Sequence, residues 1–238
     1  MLDEMRVLRD AVQQYRVAAT AAGLTWPTQA ASGGPPPDPV YRLFDVEHVA
    51  EQLSWLQSQP WQSRLLPNGG YLLPWPQDGG EALESLAFSI GTPFPWRHQI
   101  PLFHFDFLLY TFVLAGDHEG EIWRYEISPD AWDVVRAATS LAALFTEWTK
   151  GIAAGVVVYG DHTGYLQVGD GVRRDVDMLL EQVPRLDPLA FPVSMPEQPL
   201  LRVRQRECGV DMECVEQGFE CPEKLLDAIA AARASMGV

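Results

Sequence analysis

The chain has 238 residues, with 32 acidic and 17 basic side chains and a formal net charge of -15 at pH 7. Because 47% of its residues are hydrophobic, it can bury a core without disulfides, and global disorder is excluded. An acidic surface is repelled by phosphate, so the composition argues against nucleic-acid binding. A basic protein, a cationic substrate or a metal ion is an allowed partner.

The location of the protein is predicted from its apolar segments and its first residues. No segment approaches the roughly 18 uninterrupted apolar residues of a membrane span, so no membrane association is expected. Asp3 and Glu4 stand where a secretory signal would be basic, which predicts a cytoplasmic protein. Only two of the 17 basic residues are lysines, Lys150 and Lys224, and the others are arginines. This preference for arginine is typical of GC-rich bacterial genomes.

Helical spacing of apolar residues predicts an N-terminal amphipathic helix over 2–22, closed by Gly23. The proline- and glycine-rich stretch that follows predicts a linker, so we expect the first helix to pack loosely on the body. Further helices are predicted over 46–58 with Asp45 as cap, from Thr139 or Ser140 to about 154, and over 176–183 and 222–236.

Aromatic and β-branched residues predict strands in the middle of the chain. Leu102 to Ala115 is predicted as one strand that turns at 116–120 into a second strand over 121–127, with Gly120 at positive φ. A second hairpin is predicted from 156–159 and 165–168. Other predicted strands are 71–73, 86–90, 93–96 and 200–206.

These elements predict an α+β protein with a mixed, largely antiparallel central sheet and helices at both ends. The predicted organisation is an N-terminal helix over 1–24, a linker over 25–39, an α+β domain over 40–184 and a C-terminal extension over 185–238. The extension combines an acidic, cysteine-bearing segment with a terminal helix.

The sequence G-D-H-x-G occurs at both predicted hairpin turns, 44 residues apart. Carboxylate and imidazole groups suit zinc or manganese, so the repeat raises a metal site as an alternative. Tight turns also demand Asp and Gly for purely structural reasons, and this interpretation is favoured. The alternative ligands are Asp117, His118, Asp161 and His162.

Other catalytic arrangements are incomplete. On a single strand, His104 and Asp106 would share a face and could form a base and its orienting carboxylate, but no nucleophile motif accompanies them. Neither phosphate-binding glycine motif occurs, and we expect no cofactor. The three cysteines are spaced unlike a zinc knuckle and are expected to be reduced structural thiols: Cys208, Cys214 and Cys221.

Acidic residues concentrate over 117–133 and over 207–223. Such runs are usually solvated faces, but they also suit a protein that binds a basic partner, because charge complementarity speeds encounter. Tryptophans beside the turns could contribute to such a surface. The predicted partner-binding residues are Asp117, Glu119, Glu121, Trp123, Glu126 and Asp130.

Residues 102–154 resemble the SUKH superfamily, which includes a yeast cell-wall-synthesis regulator and many bacterial immunity proteins. The resemblance lies in the apolar strand ending at Val113-Leu114-Ala115, the turn 116–120, and the strand Glu121-Ile122-Trp123-Arg124-Tyr125. It continues into the Ser-capped helix at Thr139-Ser140-Leu141. The resemblance implies helices packed around a curved sheet and a non-catalytic binding role, most often toxin neutralisation by direct contact.

The hypothesis from the sequence is therefore a non-catalytic, cytoplasmic protein-binding module, an immunity protein whose partner is basic. Two alternatives stay open: a metal-dependent enzyme that uses the twin Asp-His turns, and a structural subunit of a larger assembly.

Overall fold

The computed structural model describes residues 2–27, 47–61, 64–74, 99–113, 118–126, 134–168, 183–193 and 199–210. Several predicted features lie outside these residues: the Asp45 cap, the strands at 86–90 and 93–96, nearly all of the helix at 176–183, and the helix at 222–236. Asp117, Asp130, Cys214 and Cys221 also lie outside them.

The first helix, α1, spans Leu2–Ala21 and ends before Gly23, whose φ is 120°. Its apolar face is buried through Leu8, Val12, Tyr15 and Ala19. This confirms the predicted helix, but the expectation of loose packing is wrong. The apolar face of α1 belongs to the main core because it packs along the later helix α3, Leu141–Ala153.

A five-stranded antiparallel meander forms the centre of the fold, with its strands side by side in chain order. The strands are β1 (Tyr71–Leu72), β2 (Gln99–Phe105), β3 (Leu108–Val113), β4 (Ile122–Glu126) and β5 (Val135–Ala138).

The prediction of one strand from Leu102 to Ala115 is wrong. The chain reverses at Asp106, where φ is 51°, so that β2 and β3 pair as a hairpin. The next predicted hairpin, β3 with β4, is confirmed, and Gly120 has the expected positive φ of 84°. Strand β5 is an element that the sequence interpretation missed.

Both faces of this sheet are buried at its central strands, β3 and β4. Alternation along the strands puts Phe105, Tyr110 and Phe112 on the face that meets the helices, in the main hydrophobic core. The opposite face carries Thr111, Trp123 and Tyr125, which are also buried. Continuous burial explains why β3 shows no alternation of polar and apolar residues.

Helix α3 begins where the sequence predicts. Ser140 precedes its first residue, and the Ser140 hydroxyl accepts a hydrogen bond from the backbone N–H of Ala143 at 3.1 Å. Helix α2 spans Glu47–Ser58 and buries Leu53 and Leu56.

The C-terminal half adds a separate two-stranded sheet, β6 (Val157–Gly160) with β7 (Tyr165–Val168), which confirms the second predicted hairpin. The last helix in the described part of the chain, α4, spans Pro199–Glu207. The strand predicted over 200–206 is therefore wrong, because the segment buries Leu201 and Gln205 with helical i, i+4 spacing. The predicted α+β class with a largely antiparallel sheet is confirmed.

Candidate functional site

A groove of about 530 Å³ opens beside the central hairpin. Its walls come from the start of α1, from α2, from the turn between β3 and β4, and from the junction of β5 with α3. We call it the acidic groove, and its lining residues are Asp3, Glu4, Val7, Leu8, Gln52, Glu119, Gly120, Thr139, Ser140 and Ala142.

The charge of the acidic groove is negative. Asp3, Glu4 and Glu119 line it, and among the described residues of its lining there is no lysine, arginine or histidine. Asp3 and Glu4 occupy the first turn of α1, where the helix dipole favours carboxylates. Arg6 bridges to Asp3 at 2.6 Å, but both side chains are strongly exposed, so this pair is screened by solvent.

The groove also presents apolar surface. Val7 is 48% exposed on α1, whereas Met5 and Leu8, which lie close to it on the same helix, are buried. Leu8 and Ala142 continue this apolar surface into the groove. A negative rim beside an aliphatic side chain can accommodate a cationic group and the hydrocarbon stem that carries it.

Next to the groove, the carboxylate of Glu121 gathers three nitrogen groups. Its Oε2 accepts a hydrogen bond from Trp123 Nε1 at 3.0 Å and lies 2.9 Å from His118 Nδ1, while its Oε1 accepts one from Arg136 Nη1 at 2.7 Å. Burial alone would lower the pKa of Arg136. The hydrogen bond to Glu121 and nearby negative charge raise this pKa by a larger amount, so its net shift is upward. The guanidinium therefore stays charged.

The predicted partner-binding residues divide between surface and interior. Glu119 is exposed and lines the acidic groove, whereas Glu121 is 13% exposed and engaged by its neighbours. Trp123 is fully buried, which corrects its assignment as a surface contact. Glu126 is half-buried at the end of β4, and Asp117 and Asp130 lie outside the described residues.

The twin G-D-H-x-G turns differ in their surroundings. His118 lies against Glu121 and edge-on to the Trp123 ring, whereas Asp161 and His162 are exposed at the tip of the β6–β7 hairpin, in another sheet. The last glycines, Gly120 and Gly164, both have positive φ, of 84° and 75°. Within the described residues, no group of three or more His, Cys, Asp or Glu side chains could hold a metal ion.

His104 and Asp106 do not form the base-and-carboxylate pair that the sequence raised as a possibility. Strand β2 ends at Phe105, and Asp106 takes positive φ in the following turn, so the two residues do not continue on one strand face. The ring of His104 instead stacks at 5.2 Å on Tyr71 of the neighbouring strand, and its buried Nδ1 has no hydrogen-bond partner among the residues described.

Cys208 is a buried, free cysteine just beyond α4. Burial raises the pKa of its thiol, although the positive charge of Arg136 and a backbone hydrogen bond partly oppose that shift. A buried thiol with a raised pKa is a poor nucleophile, which agrees with a structural role.

Two parts of the site escaped the sequence interpretation. The sequence accounts for Asp3 and Glu4 only as acids that complement the dipole of α1. It contains no signal that the start of α1 lies beside a hairpin more than a hundred residues later. Arg136 was missed with its strand, β5.

Comparison of the chain with family models, with curated proteins and with solved structures finds no match. None of the helices in the described part of the chain is both long and apolar enough to cross a membrane.

Proposed function

We propose that this protein is a non-catalytic, cytoplasmic protein-binding module, an immunity protein that neutralises a toxin by direct contact. The acidic groove is the observation that carries the proposal, because it combines accessible carboxylates with exposed aliphatic surface. The resemblance of residues 102–154 to SUKH proteins points in the same direction.

Charge supports a basic partner. The net charge of -15 attracts a cationic protein from a distance, and the carboxylates of Asp3, Glu4 and Glu119 extend that attraction to the groove. Electrostatic complementarity of this kind raises the association rate and selects against acidic competitors. The matching surface on the partner would present arginine or lysine beside an apolar residue, which could cover Val7.

The proposal is tested with a basic protein encoded beside this chain. Expression of that protein alone should stop growth, and coexpression of this chain should restore it. The purified pair should form a 1:1 complex whose association rate falls as salt increases. If the neighbouring protein is harmless, or does not bind, the immunity function is wrong.

A triple variant tests the groove itself. Asp3→Asn, Glu4→Gln and Glu119→Gln together should lower the association rate at low salt by about tenfold, since steering depends on local charge. The matched control removes the same charge from exposed acids outside the groove lining: Asp10→Asn, Asp161→Asn and Glu207→Gln. If the association rate falls equally in both triple variants, the attraction comes from the overall charge of the protein, and the groove is not the binding surface.

A further inference from the structure

Two walls of the acidic groove lie at the ends of neighbouring strands, β4 and β5, and one ion pair joins these two regions. The β3–β4 turn supplies Glu119 and Gly120, and the residues just after β5 supply Thr139 and Ser140. Glu121 directly follows the first wall, and Arg136 lies on β5 close to the second. Their side chains meet at 2.7 Å.

The contacts of Glu121 use both of its carboxylate oxygens. Arg136 donates to Oε1, while His118 and Trp123 approach Oε2 from the turn and from β4. The side chains of Glu121 and Arg136 are only 13% and 24% exposed, so water screens their attraction less than in a surface pair. One carboxylate therefore connects the turn to the neighbouring strand.

Backbone pairing is irregular at this position. The ladder between β4 and β5 is irregular between Ile122 and Trp123, where the register shifts. A bulge of this kind interrupts ladder hydrogen bonds and leaves the local strand ends less constrained. Side-chain bonds between Glu121 and Arg136 span that irregularity.

We infer that Glu121 and Arg136 are positioning residues for the acidic groove. Their ion pair fixes the turn that carries Glu119 relative to the β5–α3 junction that carries Thr139 and Ser140. Neither residue lines the groove, so they act on it through the backbone. A role of this ion pair in partner binding rests on the proposed function. Its effect on the position of the turn does not.

Amide hydrogen exchange on the protein alone tests the inference. The N–H of Gly120 bonds to the carbonyl of Val113 at 2.9 Å, and the N–H of Glu121 bonds to that of His118 at 3.1 Å, so both amides report closure of the turn. In Glu121→Gln and in Arg136→Gln, protection of these two amides should fall about tenfold, as expected for loss of a charge-assisted hydrogen bond. Combining the substitutions should add little, because both break one interaction.

Two further variants separate positioning from general stability. Arg136→Lys keeps a cation near Glu121 and should restore most of the protection that Arg136→Gln loses. Lys150→Gln breaks the more exposed pair with Glu147 on α3 and should leave Gly120 and Glu121 unchanged.

The inference is overturned if the turn amides keep wild-type protection in Glu121→Gln. It is also overturned if Arg136→Lys behaves like Arg136→Gln, or if protection falls equally throughout the sheet, including Phe112. Because no partner is needed, these outcomes are independent of whether the toxin-binding proposal succeeds.

Discussion

The side-chain oxygen of Asn68 accepts a hydrogen bond from the backbone N–H of Val168 at 2.9 Å, across 100 positions of sequence. The amide nitrogen of the same side chain donates to the carbonyl of Pro192 at 2.7 Å. One asparagine thus joins the turn before β1 to the second sheet and to the segment that follows it. Its backbone has φ 51°, a left-handed conformation that asparagine tolerates better than most residues.

Two substitutions separate the hydrogen bonds of Asn68 from its backbone conformation. Asn68→Gly should lower the free energy of unfolding by about 1–3 kcal/mol, because two buried partners lose their hydrogen bonds. Asn68→Ala should cost about 1 kcal/mol more, because alanine resists positive φ. Urea denaturation measures both. Equal stabilities of the two variants would show that the left-handed conformation is not maintained.

Gly70 is predicted to tolerate no side chain. A Cβ at this position would overlap the ring of Phe105, which is fully buried and packed between Tyr110 and Trp148. Gly70→Ala should therefore destabilise the protein by about 1–3 kcal/mol, the usual cost of overpacking. Gly160→Ala is the comparison, because its Cβ would meet the flexible end of Gln167 and the hydroxyl of Thr163, which donates to the Gly160 carbonyl, instead of a buried ring, so that a smaller loss is expected. Equal shifts of the two urea midpoints would contradict the prediction.

Local patterns predicted three of the four α-helices in the described residues and two of the hairpins, β3–β4 and β6–β7, because the residues that specify them are close in sequence. The periodic face of α1, the Ser140 cap and Gly120 are such signals. The turn at Asp106 was hidden by aromatic residues on either side, and β5 is too short to show a period. Segment 200–206 alternates apolar and polar residues, yet its tertiary contacts favour a helix that Pro199 can start.

The candidate site was less predictable than the fold. The sequence predicted partner-binding acids near the central hairpin, and one of these, Glu119, lines the groove. Burial of Trp123 and engagement of Glu121 by Arg136 depend on the packing of strands that the sequence does not place side by side. Proximity in space, which no single segment encodes, decides which carboxylates are accessible.

The buried Arg124 should be essential for attachment of the segment that follows the second sheet. Its guanidinium donates to the carbonyls of Phe191 at 3.0 Å and Val193 at 2.7 Å. Arg124→Met leaves these carbonyls without that donor and should cost about 3–5 kcal/mol, as for other buried charged hydrogen-bond networks.

Arg124→Lys is the matched test, because it keeps the charge but lacks the two-pronged geometry of a guanidinium. It should restore less than half of the loss. Hydrogen exchange at Phe191 and Val193 should accelerate in both variants, before exchange in β3 does. If these two amides keep their protection, Arg124 does not hold the segment.

Stability should fall steeply in alkali. Burial raises the pKa of Tyr15 well above its usual range, and it also raises that of Tyr125, against the opposing effect of hydrogen bonds to Gln99 and Thr111. Unfolded tyrosines ionise near about pH 10, while these two stay protonated in the native protein. Above that pH the native state binds more protons, so the free energy of unfolding decreases as pH rises.

Each buried tyrosine should contribute a slope of up to about 1.4 kcal/mol per pH unit. Tyr15→Phe should reduce the slope above pH 10, although it costs stability at pH 7 through loss of the 2.7 Å hydrogen bond to Leu65. Urea titrations between pH 8 and about 11 measure this, and a slope indifferent to Tyr15→Phe would contradict it.

The packing of α1 against α3 has a consequence for synthesis of the chain. Tyr15 contacts Phe145 and Trp148, so the helix made first completes its contacts only with one made some 120 residues later. At about 5–20 residues per second, translation separates the two by on the order of ten seconds. During that interval the part of the α1 stripe that faces α3 has no native surface to cover it, although Trp26 and Leu65, which also contact Tyr15, have already been made. That part of the stripe therefore stays exposed in the nascent chain until α3 emerges.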